Sequence, residues 1–247
     1  MNLGLEGRVA IVCGASSGMG LAIAEALAEE GGRVVMFARR QEALEREAAR
    51  LGALAVPGDL TSPSDIERLV ARTIEVHGGI DILVNNGGGP PPGPAVGVTD
   101  TDIERAVELL LLSAIRLTRL CLPHLERSGR GRIVNIESSS VRSPIDDLAL
   151  SNTIRPGVVG WAKTLAREVG PKQITVNTIA PGAIDTERLR SIYGGAAPPE
   201  RLATIPLARV GTPREIADVV CFLASDRAGY VSGAVIPVDG AATRNLL

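Results

Sequence analysis

Aromatic residues are almost missing from this chain. Its 247 residues include two Phe, two Tyr and one Trp. A pocket that recognises flat rings by stacking needs more of them, so that mode of recognition is not expected. Both tyrosines, Tyr193 and Tyr230, stand late in the chain, and the central segments have no phenol. Histidine is equally scarce. His77 and His124 lie far apart without metal-ligand spacing, so they read as structural or surface groups and no metal site is expected. The three cysteines, Cys13, Cys121 and Cys221, are odd in number, widely spaced and set in apolar surroundings. They read as buried thiols, and the expected setting is a reducing cytoplasm. No apolar run is long enough to cross a bilayer. Met1 to Gly7 shows no basic stretch followed by an apolar core, so no secretory leader is expected. Neither charge sign dominates. A net charge of −2 offers no electrostatic case for nucleic acid or an anionic membrane, and the expected partner is a small molecule.

Short apolar runs alternating with helical patterns fill the chain instead. Strands are expected at Arg8–Cys13, Arg33–Ala38, Ala53–Pro57, Ile80–Val84, Arg132–Ile136, Ile174–Ala180 and Ala234–Val238. Helices are expected from Leu21 to Ala28, from Gln41 to about Leu51 and from Ser64 onward. Two longer central helices are expected at about Asp100–Ser128 and Ala149–Gly170. Repeated β–α units with near-continuous apolar strands predict an α/β fold. It is one doubly wound domain over residues 1–247, with a seven-stranded, mostly parallel sheet and helices on both faces. A chain of this length suffices for one such core.

Between the first strand and its helix runs Gly14-Ala15-Ser16-Ser17-Gly18-Met19-Gly20. Strand, glycine loop and helix form a phosphate cradle. Glycines let the backbone turn and approach a ligand, and the helix start offers free N–H groups and the positive dipole end. Asp59, Asn85, Ser138 and Pro181 also follow expected strands, so they can meet the loop in one cleft at the strand ends.

The glycine spacing resembles the T-G-x-x-x-G-x-G motif of the short-chain dehydrogenase/reductase family, with Cys13 at the usual Thr. The likeness extends in family order through Gly58-Asp59-Leu60, Asn85-Asn86-Gly87-Gly88, Ile133-Val134-Asn135-Ile136-Glu137-Ser138-Ser139, Val176-Asn177 with Pro181-Gly182-Ala183-Ile184-Asp185-Thr186, and Gly233-Ala234-Val235-Ile236-Pro237-Val238-Asp239-Gly240. It covers essentially the whole chain, which resembles the family's 3-oxoacyl-carrier-protein reductases. The resemblance implies a Rossmann-type fold and hydride transfer between a nicotinamide dinucleotide and a carbonyl/alcohol pair. It implies that Gly14, Ser16, Ser17, Gly18, Met19 and Gly20 hold the cofactor. Asp59 would contact the adenine amino group, with Leu60 beside the ring. Asn85 and Gly87 would line the nicotinamide side, and Thr186, after Pro181 and Gly182, would hold the carboxamide or diphosphate.

Cofactor choice turns on the end of the second strand. An acidic residue there would bind the adenosine ribose and repel a 2′-phosphate. This chain has Ala38-Arg39-Arg40. A guanidinium can fork onto phosphate, so NADP(H) is expected over NAD(H), through Arg39 first and Arg40 second.

The catalytic pattern departs from the family's. The usual Tyr falls on Ser151, the usual Lys on Arg155 and the usual Asn on Leu110, while the Ser is kept as Ser138. Ser151 and Arg155 are one helical turn apart and can still meet. A serine hydroxyl is short and a poor acid near neutral pH. Arg155 stays charged and can grip ribose hydroxyls or an anionic substrate, but it is a poor proton shuttle. Three readings stand open. One is an oxidoreductase with a displaced proton donor, which could be Tyr193, Asp146, Asp147 or a water held by Ser138 and Ser151. Another is an NADP(H)-binding protein without catalysis. The third is a non-redox isomerisation or dehydration assisted by Arg155 and the serines.

Two irregular stretches, Gly87 to Pro94 and Thr186 to Pro206, leave the sheet on the ligand side. The first reads as a shaped loop at the site, and the second, about residues 187–206, corresponds to the family's substrate lid. The resemblance implies a homotetramer, or else a dimer, formed through paired central helices and the last strand, and Leu109-Leu110-Leu111-Leu112 supplies apolar area on several faces of a central helix.

Overall fold

Strands of Val, Ile and Leu carry the centre of the molecule, which a computed structural model describes for residues 2–246. The strands are β1 (Val9–Cys13), β2 (Arg33–Ala38), β3 (Leu54–Pro57), β4 (Ile82–Asn85), β5 (Arg132–Ile136), β6 (Thr175–Pro181) and β7 (Val235–Val238). They pair in the order β3-β2-β1-β4-β5-β6-β7, and every pairing is parallel. Order reverses between β1 and β4, which opens the crevice where ligands bind in doubly wound sheets.

Period-two alternation sorts each strand into two cores. Along β1, Ala10 and Val12 face one layer and Ile11 and Cys13 the other. The first layer holds α1 (Gly18–Glu29), α2 (Gln41–Leu51) and α9 (Pro213–Ala224). The second holds α3 (Pro63–His77), α5 (Ser113–Ser128) and α6 (Ala149–Val169). Each fully buried Leu or Ile contributes about 1.5–3 kcal/mol. Cys13, Cys121 and Cys221 are free thiols buried in these layers. Among the described residues no helix is long and apolar enough to cross a membrane.

Two elements differ from expectation. Helix α9 is an addition to the expected elements, although its signals are local: Thr212 and Glu215 form a capping box and Pro213 stands in the first turn. Its apolar face (Ile216, Val220, Leu223) packs against α1. The helix expected over Asp100–Ser128 is not uniform. It runs as α4 (Asp100–Ala106), a π-helical stretch Val107–Leu112, and α5. The leucine run therefore lies in the π stretch, and Leu110 is buried. In the segment expected as a lid lie α7 (Glu187–Tyr193) and α8 (Pro199–Ala203).

Candidate active site

The carboxyl ends of parallel strands share one edge, and there a cleft of about 490 Å³ opens. Its floor is the glycine loop. Gly14 has φ +62°, and a Cβ on it would stand 2.7 Å from the Asn86 carbonyl oxygen. Asn86 donates from its side-chain amide to the Cys13 carbonyl at 3.0 Å, tying the end of β4 to β1. Ser17 caps α1 without a side-chain hydrogen bond, so the first helical N–H groups are not consumed by a cap. Ser17, Gly18, Met19 and Gly20 line the cleft at that point. Tight loop, uncapped helix start and adjoining space fit a dinucleotide pyrophosphate.

Ser138, Ser151 and Arg155 converge on the same cleft. Ser138 lies two residues beyond β5, and its hydroxyl accepts from the Ser140 N–H at 3.1 Å. Ser151 and Arg155 meet along α6 as their spacing implied, with Arg155 Nε donating to Ser151 Oγ at 3.2 Å. Ser151 Oγ also lies 3.1 Å from Ser140 Oγ. The turn before α6 is braced by Asn152, whose amide accepts from the Ile145 N–H and donates to the Ile145 carbonyl.

Sequence reading missed Glu137. A lone glutamate at a strand tip carries no spacing signal, whereas its neighbour Ser138 stands in a recognisable motif. Glu137 is buried, lines the cleft and binds Arg155 Nη1 through Oε2 at 3.0 Å. Burial outweighs the attraction of Arg155 and pushes its carboxyl up to about 7.

The other expected cofactor residues fall into groups. Gly87, Pro181, Gly182 and Thr186 line the cleft. Gly14 and Ser16 frame the loop. Arg39 and Arg40, beyond the end of β2, and Asp59, beyond the end of β3, sit outside the cleft lining. Arg39 is largely exposed and 4.0 Å from Asp59, whereas Arg40 is drawn to Glu187 at 3.2 Å. Asp59 accepts from both the N–H and the hydroxyl of Thr61. Leu60 lines a smaller cavity of about 10 Å³ behind the cleft, together with Leu110 and Glu137.

Asn85 lines the small cavity behind the cleft together with Gly87. Its amide is not brought to the large cleft but donates to Asn135 at 2.8 Å and Thr118 at 3.1 Å. Strand alternation sends this side chain inward and leaves Asn86 to face the cleft. At the mouth, Arg188 of α7 donates to the Pro90 carbonyl at 2.7 Å, joining the glycine-proline loop to the segment above it. Burial, with Arg155 nearby, lowers the Arg188 pKa. Asp146, Asp147 and Tyr193 also line the cleft, and all three are exposed.

These features define the class: a dinucleotide-binding α/β protein with a polar site at the strand ends. Residues 14–243 match the family model described as enoyl-(acyl carrier protein) reductase. The chain is 36% identical over 242 residues to a 3-oxoacyl-[acyl-carrier-protein] reductase of Vibrio cholerae, covering 96% of this chain and 98% of that one. It is similar in structure to an L-sorbose reductase of Gluconobacter frateurii complexed with NADPH and L-sorbose, with a TM-score of 0.92, 33% identity and full coverage of both chains. It is also similar to a 3-ketoacyl-(acyl-carrier-protein) reductase of Brucella melitensis complexed with NADH, with a TM-score of 0.90 and 32% identity over 96% of this chain and 99% of that one. The chain belongs to the short-chain dehydrogenase/reductase family, a family of oxidoreductases.

Proposed function

We propose that this protein is an NADP(H)-dependent reductase acting on the carbonyl/alcohol pair of a small molecule, with Ser151 and Arg155 replacing the usual Tyr and Lys. The observation that carries this is the opening of the glycine loop and the Ser138, Ser151 and Arg155 cluster into one cleft. The dinucleotide, when bound, supplies the hydride. Gly14, Gly18 and Gly20 admit its pyrophosphate to the start of α1. Arg155 is placed to hold ribose hydroxyls or an anionic substrate group. The hydroxyls of Ser138 and Ser151 orient the carbonyl. Arg39, exposed and at the edge of its range from Asp59, is free to fork onto a 2′-phosphate. Residues 187–206 close over the substrate.

The test is calorimetric titration followed by turnover. NADPH should bind more tightly than NADH, and Arg39→Ala should erase most of the difference. Equal affinities in the unaltered protein overturn the preference, and binding of neither cofactor overturns the whole reading. With NADPH present, a 3-oxoacyl thioester and L-sorbose are the first substrates to try, and slow reduction is expected.

A second reading, an NADP(H)-binding protein without catalysis, is favoured by the Ser151 hydroxyl. It is already engaged by Ser140 and Arg155, and loss of a general acid removes about 10²–10⁴ in rate. Binding without any turnover across a broad ketone panel would decide for it.

We propose further that the protein assembles as a homotetramer in the cytoplasm. Exposed Ile103 and Leu120 on α4 and α5 supply apolar area for a partner. Light scattering at micromolar concentration should show a tetramer, and a monomer overturns this.

A further inference from the structure

Among the described residues Glu137 is the one carboxylate that is buried. Its position is specific. It sits at the tip of β5 beside Ser138 and lines both the large cleft and the small cavity behind it. Arg155 holds Oε2 at 3.0 Å, and the two side chains are 8% and 6% exposed. Oε1 has no hydrogen-bond partner among the described residues. The same guanidinium reaches Ser151, so one arginine links the carboxyl to the hydroxyl that stands in the tyrosine's place. A buried ion pair is costly, and apolar residues of similar volume would serve stability at least as well. Its presence at the reacting end of the cleft calls for a chemical reason.

We infer that Glu137 is the proton donor of this cleft, giving the proton on Oε1 to the substrate oxygen while Arg155 steadies the carboxylate left behind. The inference rests on the reductase reading. As the carbonyl carbon accepts a hydride from the reduced dinucleotide, the C=O π pair moves to oxygen. An O–H bond forms there and the Oε1–H bond breaks. Glu137 ends as a carboxylate paired with Arg155 and is reloaded from solvent through the cleft. Charged groups facing it are few. Arg155 of α6 favours the ionised form, and Arg188 of α7 adds positive charge beyond it. Cys13 of β1, across the small cavity, has its thiol pushed up to about 12 by burial and stays neutral. Asn85 of β4, Asn86 just after it and Ser113 of α5 are polar without charge. Desolvation favours the protonated acid, so the carboxyl is poised near neutrality. Asp146, Asp147 and Tyr193 are exposed and lack this environment.

The experiment is a carbon-13 NMR titration of the whole protein with labelled glutamate carboxyls, with and without NADPH. Glu137 is assigned by the signal lost in Glu137→Asp, which keeps the charge beside Arg155. A midpoint at about 7 supports the inference. A Glu137 that stays ionised down to about pH 5, with NADPH bound, overturns it while leaving the reductase reading intact. Failure of the unaltered protein to bind NADPH overturns both. In turnover, Glu137→Gln should lower kcat by about 10²–10⁴ with little change in KM, and remove the fall in rate as pH rises past about 7. Glu137→Asp should restore part of both. Unchanged kcat and pH profile in Glu137→Gln also overturn the inference.

Discussion

A single methyl group added at position 20 should lower NADPH affinity by about ten- to a hundredfold. A Cβ on Gly20 would stand 2.6 Å from the Gly14 carbonyl carbon and 2.8 Å from Asn86 Nδ2. Neither neighbour can yield cheaply. Gly14 is backbone in a left-handed turn, and the Asn86 amide is tied to the Cys13 carbonyl. Overpacking of this kind costs roughly 1–3 kcal/mol, and here it falls on the loop that must sit close to the pyrophosphate. Calorimetric titration of Gly20→Ala checks it. Gly160→Ala, on α6 with nothing within 4 Å of an added Cβ, is the control and should bind as the unaltered protein does. Equal affinities in the two variants would show that the glycine loop is not the cradle.

The second large effect is on stability and lies at the opposite edge of the sheet. Arg8 precedes β1 and is fully buried. Its guanidinium donates to the Ala224 carbonyl at 2.8 Å and to the Arg130 carbonyl, and it pairs with Asp226 at 3.4 Å. It thereby fastens the end of α9 and the start of β5 to β1. Burial, with Arg132 and Arg130 nearby, lowers its pKa to about 10, so the charge is retained at neutral pH. Arg8→Ala removes the donors, opens a cavity and strands two carbonyls. The expected cost is about 3–5 kcal/mol, a fall in Tm of roughly 6–20 °C for a chain of this size. Arg8→Met, which keeps the apolar stem, should lose less. A thermal melt of Arg8→Ala within about 2 °C of the unaltered protein would show that the guanidinium contributes little.

What could be read from the residues and what could not divides along physical lines. Strands such as Val9–Cys13 and the Val34–Ala38 part of β2 are continuous apolar runs between turn signals, and local pattern suffices to place them. The glycine loop was legible for the same reason, since strand, loop and helix are consecutive. So was the meeting of Ser151 and Arg155, because helical periodicity alone brings residues four apart together. Helix α9 carries its own cap, but it follows the irregular stretch 187–206, where no strand precedes it to mark a β–α unit. The π stretch at Val107–Leu112 has no local sequence signature.

The sequence by itself determined the order of β–α units, the glycine loop from Gly14 to Gly20, the basic residues after β2 and the pairing of Ser151 with Arg155 on α6. Each is a property of neighbouring residues along one strand, turn or helix. Only the tertiary structure decided which of two adjacent asparagines faces the cleft, that Arg40 is engaged by Glu187 while Arg39 is not, and that Glu137 is the buried partner of Arg155. Those depend on burial and on contacts between residues far apart in the chain. A carboxyl's chemistry is set by the dielectric and the charges around it, which packing creates and which no local spacing records.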